Sequence, residues 1–388
     1  MAAAGPRPTD GAPTARPAPA APPASSSPDK PLFSLGLIAD IQYADMADSG
    51  VEGRVQRFRD APPKLEAAVE ELGRLAGARK IQAVLTLGDI TNGNREDPAR
   101  NPSDLETVAS ILDRLPPDLP VYHVLGNHCL DLPRDDVLAR LRFPLAADHE
   151  DEEEKGGGGG FKDASGRPRR VAHYCVPLAP GWRLIALDTT ELSGHTQAGP
   201  AAVAESAAYL AAHPLSEAEP QMSLWNGGIG GSQATWLAAQ LRVAKAVGDR
   251  VIVAGHHQAG PDAAVRRTHA AWNWEAIAGL VSGDRVGLAP DATGGVVPSS
   301  ALIYLAGHDH CGGYAHAGGV HWVTLEALVE APPGSNAWAV LDVYPDRAEV
   351  RGRGSVTSRV LPFSSGWPLE TGGRGDVLWE KEKEKGRG

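Results

Sequence analysis

The sequence predicts an α/β fold, and three observations carry that prediction. From residue 31 onward, short apolar runs rich in β-branched residues alternate with amphipathic, Ala/Leu-rich stretches. Hydrophobic residues make up 42% of the chain, ample for one large core. The 388 residues exceed the usual ~100–200 per domain, yet α/β folds reach this size as one unit.

Taken in order, residues 1–30 are almost entirely Ala, Pro, Ser and Gly. Such a segment cannot bury enough apolar surface to offset its chain entropy and is expected to be disordered. A domain over 31–362 follows, opening with an apolar strand at Phe33–Ala39 and an amphipathic helix at Ala61–Ala76. A strand at Ala83–Leu87, a helix at Leu105–Leu115 and a strand at Val121–Leu125 continue the alternation. An acidic block and five glycines, HEDEEEKGGGGG at His149–Gly160, mark a flexible insertion at about 148–168. Those glycines would prevent preorganised carboxylates, so a solvated surface segment is the expectation there.

The pattern resumes with a strand at Leu184–Leu187, a helix at Gln233–Ala246, a strand at Val251–Ala254 and a helix at Trp274–Leu280. Strands at Leu302–Ala306, Trp322–Leu325, Ala339–Val343 and Glu349–Arg351 complete it. The RGRG run at 351–354 is too short to argue for RNA and reads as part of a surface hairpin. Residues 363–388 form a tail whose Glu/Lys-rich end is expected to fray.

Charge narrows the function. Acidic residues outnumber basic ones 48 to 37, a formal net charge of −11. Proteins that track a nucleic-acid backbone show a basic excess, so a polymer ligand is disfavoured, whereas a small nucleotide held by metal ions is not. Cys129, Cys175 and Cys311 are odd in number and widely spaced, suggesting neither a disulfide framework nor a CxxC zinc site. Reduced thiols suit a cytoplasmic protein, and no run approaches the ~18–20 apolar residues of a membrane span. The Arg-containing, acid-poor N-terminus keeps an organellar transit peptide as the alternative.

The chemistry lies in where metal-capable residues fall. Asp40 and Gln42 follow the first strand in IADIQ, and Asp89 follows the second in LGDI. Asn127 and His128 follow the third in LGNH, His256 follows VIVAG, and His308 and His310 follow IYLAG in GHDH. Ligands of open α/β sheets bind beyond the carboxyl ends of the strands, so all these groups are delivered to one edge. A glycine precedes Asp89, Asn127, His256 and His308, which suits a sharp, sometimes positive-φ turn aiming the next side chain inward. One Gly-His pair is more often a satisfied histidine than a ligand. Five strand ends terminating in ligand-type residues are not explained that way.

The ordered set D-x-Q, G-D, G-N-H, G-H and G-H-x-H resembles the calcineurin-like metallophosphoesterase superfamily over roughly residues 33–361. IADIQYAD, WNGGIGGSQATWL, AAWNWEAI, GHDHCGGY, GGVHWVTLEALVEAPPG and LDVYPDRAEVRGRG are similar to its manganese-dependent ADP-ribose/CDP-alcohol diphosphatases. The resemblance implies a four-layer α/β/β/α sandwich of two mixed sheets with a dimetal site at strand ends. It implies that Asp40, Gln42 and His310 bind one metal, that Asn127, His256 and His308 bind a second, and that Asp89 bridges them. Oxygen and imidazole donors without thiolate suit Mn²⁺, with Zn²⁺, Fe or Mg²⁺ as alternatives. Most of the superfamily carries His where Gln42 stands, and the harder, weaker amide oxygen should tilt the site toward Mn²⁺.

The activity implied is hydrolysis of the diphosphate bond of ADP-ribose or CDP-alcohols such as CDP-choline and CDP-glycerol. His128 resembles the superfamily's non-ligand catalytic histidine, against the alternative that it only orients Asn127. Tyr43 and Trp272 or Trp274 are candidates to stack on a base, although aromatics at helical spacing are more often core. Asn226 with Gly227 and Gly228 could let backbone approach substrate, and Arg54, Arg57 and Arg59 could meet phosphate or simply line a solvated face. Three positions depart from the family pattern: Cys129 after GNH, Asn92 at an acidic position, and His257-Gln258 where proline is common. Two other readings stay open: a cyclic-nucleotide or other phosphoesterase on the same fold, and a non-catalytic scaffold. All seven ligand positions carry metal-competent side chains, which weighs against the scaffold.

Overall fold

The first strand, β1 (Phe33–Ile38, FSLGLI), is buried along its whole length and shows how the layers are stacked. Alternate side chains of a strand face opposite ways. Phe33, Leu35 and Leu37 join one apolar cluster, whereas Ile38 joins another on the far face. Gly36 shares the Ile38 face, where a Cβ would come within 2.7 Å of Leu72 in helix α1 (Ala61–Ala78), so the glycine lets the helix lie close. The computed structural model describes residues 30–363 apart from 52, 79–80, 147–168, 262–264 and 284–298. The Ala/Pro-rich segment to residue 29, the acidic insertion and the tail from 364 lie outside the described residues.

Two six-stranded sheets form the centre. In the first, β1, β2 (Ile81–Thr86) and β3 (Val121–His123) run parallel. On the other side of β1 lie β10 (Ala337–Val343), β11 (Arg347–Gly354) and β12 (Arg359–Pro362), each antiparallel to its neighbour. The second sheet begins with β4 (Tyr174–Ala179), antiparallel to β5 (Trp182–Ala186). Then β5, β6 (Arg250–Ala254), β7 (Ala301–Ala306) and β9 (Val320–Glu326) run parallel, and β8 (Cys311–Ala317) closes the edge antiparallel to β9. Both sheets are mixed, and each parallel core presents its carboxyl ends together.

Three apolar slabs separate four layers. Leu65 and Leu72 of α1 and Val108 and Leu112 of α2 (Asn101–Leu112) pack on Ile38, Val84 and Val340 of the first sheet. Leu35, Leu85 and Leu341 of that sheet meet Leu184, Ile252 and Leu305 of the second. Leu237 and Leu241 of α5 (Gly231–Val247), with Ile277 and Leu280 of α6 (Trp274–Ser282), cover Val251, Val253 and Tyr304 on the outer face. This is the expected α/β/β/α sandwich.

Elements that the periodicity did not announce are β4, β8, β12, α3 (Arg134–Arg140) and α4 (Pro200–Ala212). The sequence of β8, CGGYAHA, buries only Ala315 fully and pairs on one side only, so it carries no apolar alternation. The RGRG run is the last half of β11, in the hairpin with β12. Among the described residues no helix is long and apolar enough to cross a membrane.

Candidate metal centre

Seven side chains arrive at one place from the carboxyl ends of both sheets. Asp40 and Gln42 leave β1, Asp89 leaves β2 and Asn127 follows β3, while His256 leaves β6 and His308 and His310 leave β7. Of the five described non-glycine residues with positive φ, four are Asp40 (49°), Gln42 (45°), Asp89 (46°) and His308 (68°). Such conformations cost about 1–3 kcal/mol each and persist where surrounding structure imposes them, commonly at functional sites. This corrects the expectation about the preceding glycines: apart from Gly88, positive φ falls on the ligands themselves. The glycines instead leave room, since a Cβ at Gly126 would sit 2.2 Å from Asp89 Oδ1 and one at Gly307 2.4 Å from Asp40 Oδ2.

Four acceptor atoms converge beside the second sheet. His256 Nε2 lies 3.1 Å from Asn127 Oδ1, 3.2 Å from His308 Nδ1 and 3.3 Å from Asp89 Oδ2. The other ring nitrogens are occupied: His256 Nδ1–H donates to the Leu87 carbonyl at 2.8 Å, and His308 Nε2–H to Asn226 Oδ1 at 2.7 Å. Two imidazole lone pairs, an amide oxygen and a carboxylate oxygen therefore face one another. Unscreened acceptors at this spacing repel unless a positive charge stands between them. Bonds of ~2.1 Å to a divalent cation would set neighbouring donors ~3.0–3.4 Å apart, so the donor set fits a metal ion.

The adjoining donors suit a second ion. Asp40 accepts the His308 backbone N–H at 3.1 Å and stands 3.6 Å from His310 Nε2. His310 Nδ1–H donates to Glu330 Oε1 at 2.7 Å, and Glu330 Oε2 is paired with Arg54 at 2.8 Å. Gln42 Oε1 is buried with no hydrogen-bond partner, an acceptor awaiting a cation. Between the clusters, Asp89 Oδ2 takes the Gln42 amide at 3.0 Å while Oδ1 accepts the His128 backbone N–H at 2.9 Å.

Protonation preferences register the same negative field. Burial by itself would lower the His256 pKa, but Asp89 and Asp40 outweigh it and push it up to about 9. Burial likewise opposes protonation of His310, yet Asp40 and Glu330 raise it to about 10. His308 is held well below its ordinary value by burial and by the neighbouring imidazoles. Asp89 stays ionised because His256 and His128 overcome its burial. The site attracts positive charge at two loci.

His128 borders the centre with its Nδ1–H donated to the Asn92 carbonyl at 2.8 Å, which leaves Nε2 as the nitrogen for substrate. Asn92 thus acts through its backbone, so its departure from an acidic side chain leaves this contact intact. Cys129 is buried with its thiol pushed up to about 12 by burial and Asp89, and takes no part as a thiolate. His257 donor atoms lie within 4.8 Å of those of His256 and His308, while its Nδ1 is 2.9 Å from the Thr189 hydroxyl. Gln258 bridges to Thr324 at 2.9 Å.

Several substrate-contact expectations are corrected. Tyr43 packs on the first-sheet core, with Asp104, Asp45 and Thr107 around its hydroxyl, and turns away from the ligands. Trp272 is 2% exposed, stacks on Tyr209 and donates its indole N–H to Ser223, so it is core. Trp274 is partly buried against the outer helical slab. Asn226 is fully buried against His308, and a Cβ at Gly227 or Gly228 would strike Thr189 O or Asn273 Oδ1; these glycines serve packing, not substrate approach.

Arg54 does line the pocket, whereas Arg59 pairs with Asp45 and Arg57 bonds the Val55 carbonyl. The aromatic at the site is Trp225, 40% exposed with its ring 5.2 Å from that of His308. The pocket at the ligands, about 300 Å³, shares Trp225, Arg95, Asn127 and His128 with a neighbouring cavity of about 650 Å³. Trp225, Arg95 and Glu330 lie in loops without periodicity; only the place of Trp225 as the first residue of the WNGG motif could have flagged one of them.

A family model for calcineurin-like phosphoesterases matches residues 33–312. The chain is 29% identical over 347 residues to a manganese-dependent ADP-ribose/CDP-alcohol diphosphatase from Arabidopsis thaliana, covering 86% of this chain and 98% of that one. It is 30% identical over 356 residues to the protein of that name from Xenopus tropicalis, covering 86% and 95%. A crystal structure of a dimetal phosphatase from Danio rerio superposes with a TM-score of 0.70 at 28% identity, covering 86% of this chain and 100% of that chain.

Proposed function

The chain belongs to the calcineurin-like phosphoesterase family, and from that membership we propose a hydrolase, dependent on two divalent cations, that cleaves the diphosphate bond of ADP-ribose and CDP-alcohols. The products would be a nucleoside monophosphate and a phosphorylated sugar or alcohol. The observation that carries this reading is the convergence of His256 Nε2, His308 Nδ1, Asn127 Oδ1 and Asp89 Oδ2 on one point, with the other ring nitrogens of both histidines committed to Leu87 and Asn226. The shared name of relatives matched along 86% of the chain supports the substrate class.

Asp40, Gln42 and His310 would hold one cation, Asn127, His256 and His308 the other, and Asp89 both. When bound, the cations acidify a water and neutralise charge on the phosphoryl oxygens, with Mn²⁺ favoured by the amide donor at Gln42. In the hydrolysis a water oxygen bonds to phosphorus as the bridging P–O bond breaks, and the departing oxygen takes up a proton. His128, its Nδ1–H already committed to the Asn92 carbonyl, directs Nε2 to that oxygen or to the transferring group. Arg54, Arg95 and Arg266 line the pocket, Arg54 held by Glu330 and Arg266 by Asp309, so guanidinium groups fixed in place stand where substrate phosphates would enter. Trp225 and the adjoining cavity offer an apolar face and room for the part of the substrate beyond the phosphates.

A panel of ADP-ribose, CDP-choline, CDP-glycerol and cyclic nucleotides, assayed with Mn²⁺, Mg²⁺ and Zn²⁺, tests the proposal. Formation of AMP from ADP-ribose with Mn²⁺ is the expected result. Activity confined to cyclic nucleotides or monoesters would overturn the substrate class, and absence of bound metal with no activity would favour a scaffold.

A further inference from the structure

The two histidines of the GHDH segment are two residues apart, yet their rings are held by different partners through opposite nitrogens. His308 is bonded through Nε2 to Asn226, and His310 through Nδ1 to Glu330, at 2.7 Å in each case. Asn226 is fully buried, and its Nδ2 donates to the carbonyls of Gln221 and Thr268, both at 2.8 Å. Two carbonyls cannot face an amide oxygen, so the amide cannot flip. Its Oδ1 must point at His308 and can only accept. Glu330 is an acceptor as well, with Oε1 on His310 and Oε2 paired with Arg54.

We propose that Asn226 and Glu330 are positioning residues that lock His308 and His310 in opposite tautomers, so that His308 offers Nδ1 and His310 offers Nε2 to the metal centre. The inference rests on the two-cation reading above. The free atoms agree with it: His308 Nδ1 faces His256 Nε2 at 3.2 Å, and His310 Nε2 faces Asp40 at 3.6 Å. Partners that orient a ligating imidazole raise its basicity, and their loss weakens metal binding by about 10–100-fold. Each partner here touches one histidine only. The two cation affinities are therefore set separately, Asn226 acting on the site of His256 and Asn127 and Glu330 on the site of Asp40 and Gln42.

The direct test is long-range ¹H–¹⁵N correlation of the ring nitrogens in the full chain, labelled with ¹⁵N-histidine and loaded with diamagnetic Zn²⁺. Opposite protonated nitrogens on His308 and His310 are expected; the same nitrogen on both overturns the assignment, and this readout needs no variant to fold. Stepwise Mn²⁺ titration by calorimetry adds the energetic arm. Glu330→Ala should weaken one of two binding steps by about 10–100-fold, Asn226→Ala the other, and Glu330→Gln should recover most of the first loss because its amide oxygen still accepts. Equal weakening of both steps by either variant, or no weakening, overturns the proposal. Wild-type protein that binds fewer than two Mn²⁺ would instead sink the two-cation reading, so the two failures are distinguishable.

Discussion

His128 contributes a side chain to the pocket and only a backbone N–H to Asp89, so its roles in turnover and metal binding can be separated. His128→Ala should keep its metal and lose about 10²–10⁴-fold in kcat, whereas Asp89→Ala should lose bound metal; metal analysis beside steady-state kinetics checks both. Gln42 permits a second prediction. Its Oε1 is an unpaired hard donor, so Gln42→His should erode the preference for Mn²⁺ over Zn²⁺, and equal wild-type activity with the two metals would remove the idea. At this scale the ligands were legible in the sequence because each ends an apolar run that must be a buried strand. The residues around them were not. Trp225, Arg95 and Glu330 come from irregular connections, and Tyr43 is adjacent to Gln42 in sequence yet faces the opposite way, toward α2.

Elements are stabilised as much by how they stop as by how they start. Helix α5 ends at Gly248, whose φ of 83° lets its N–H reach the carbonyls of Ala244 and Lys245. A side chain there must adopt the left-handed region, so Gly248→Ala should cost about 1 kcal/mol of unfolding free energy, read as a lower urea midpoint at unchanged slope, while leaving activity unchanged. Such punctuation, together with the apolar runs, made the central strands and α1, α2, α5 and α6 readable. The missed strands are edge or near-edge pieces. In β8, Cys311 is exposed, Gly312 and Gly313 carry no side chain, and a single neighbour stabilises the strand, so local pattern had nothing to report. Helix α4 escaped notice because its Ala-rich sequence buries only Ala202 and Ser206 and shows no apolar stripe.

The whole molecule carries a pH dependence away from the metal centre. His123 lies on β3, wholly buried, with Nδ1 2.7 Å from Thr86 Oγ1, and burial lowers its pKa to about 3. A histidine kept neutral on folding contributes stability that is fully present above its unfolded pKa of ~6.5 and is lost as pH falls toward the folded value. The full loss amounts to about 5 kcal/mol between those limits, from ~1.4 kcal/mol per unit. Denaturant unfolding from pH 7 to 4 should show His123→Gln losing less stability on acidification than the wild type; parallel slopes would refute the assignment. This effect was invisible in the sequence, where the histidine within VYHVL marked only a strand.

The donors do not belong to one sheet: Asp40, Gln42, Asp89 and Asn127 hang from the first, and His256, His308 and His310 from the second. Neither half owns a complete cage, so the ions would work as rivets through the seam as well as reagents. Cation held at 100 times its Kd would add about 2.7 kcal/mol per rivet to the folded state. Stripping the protein with a chelator should therefore lower its melting temperature, and restoring Mn²⁺ should raise it again. A melt indifferent to both treatments would mean that the seam holds without fasteners.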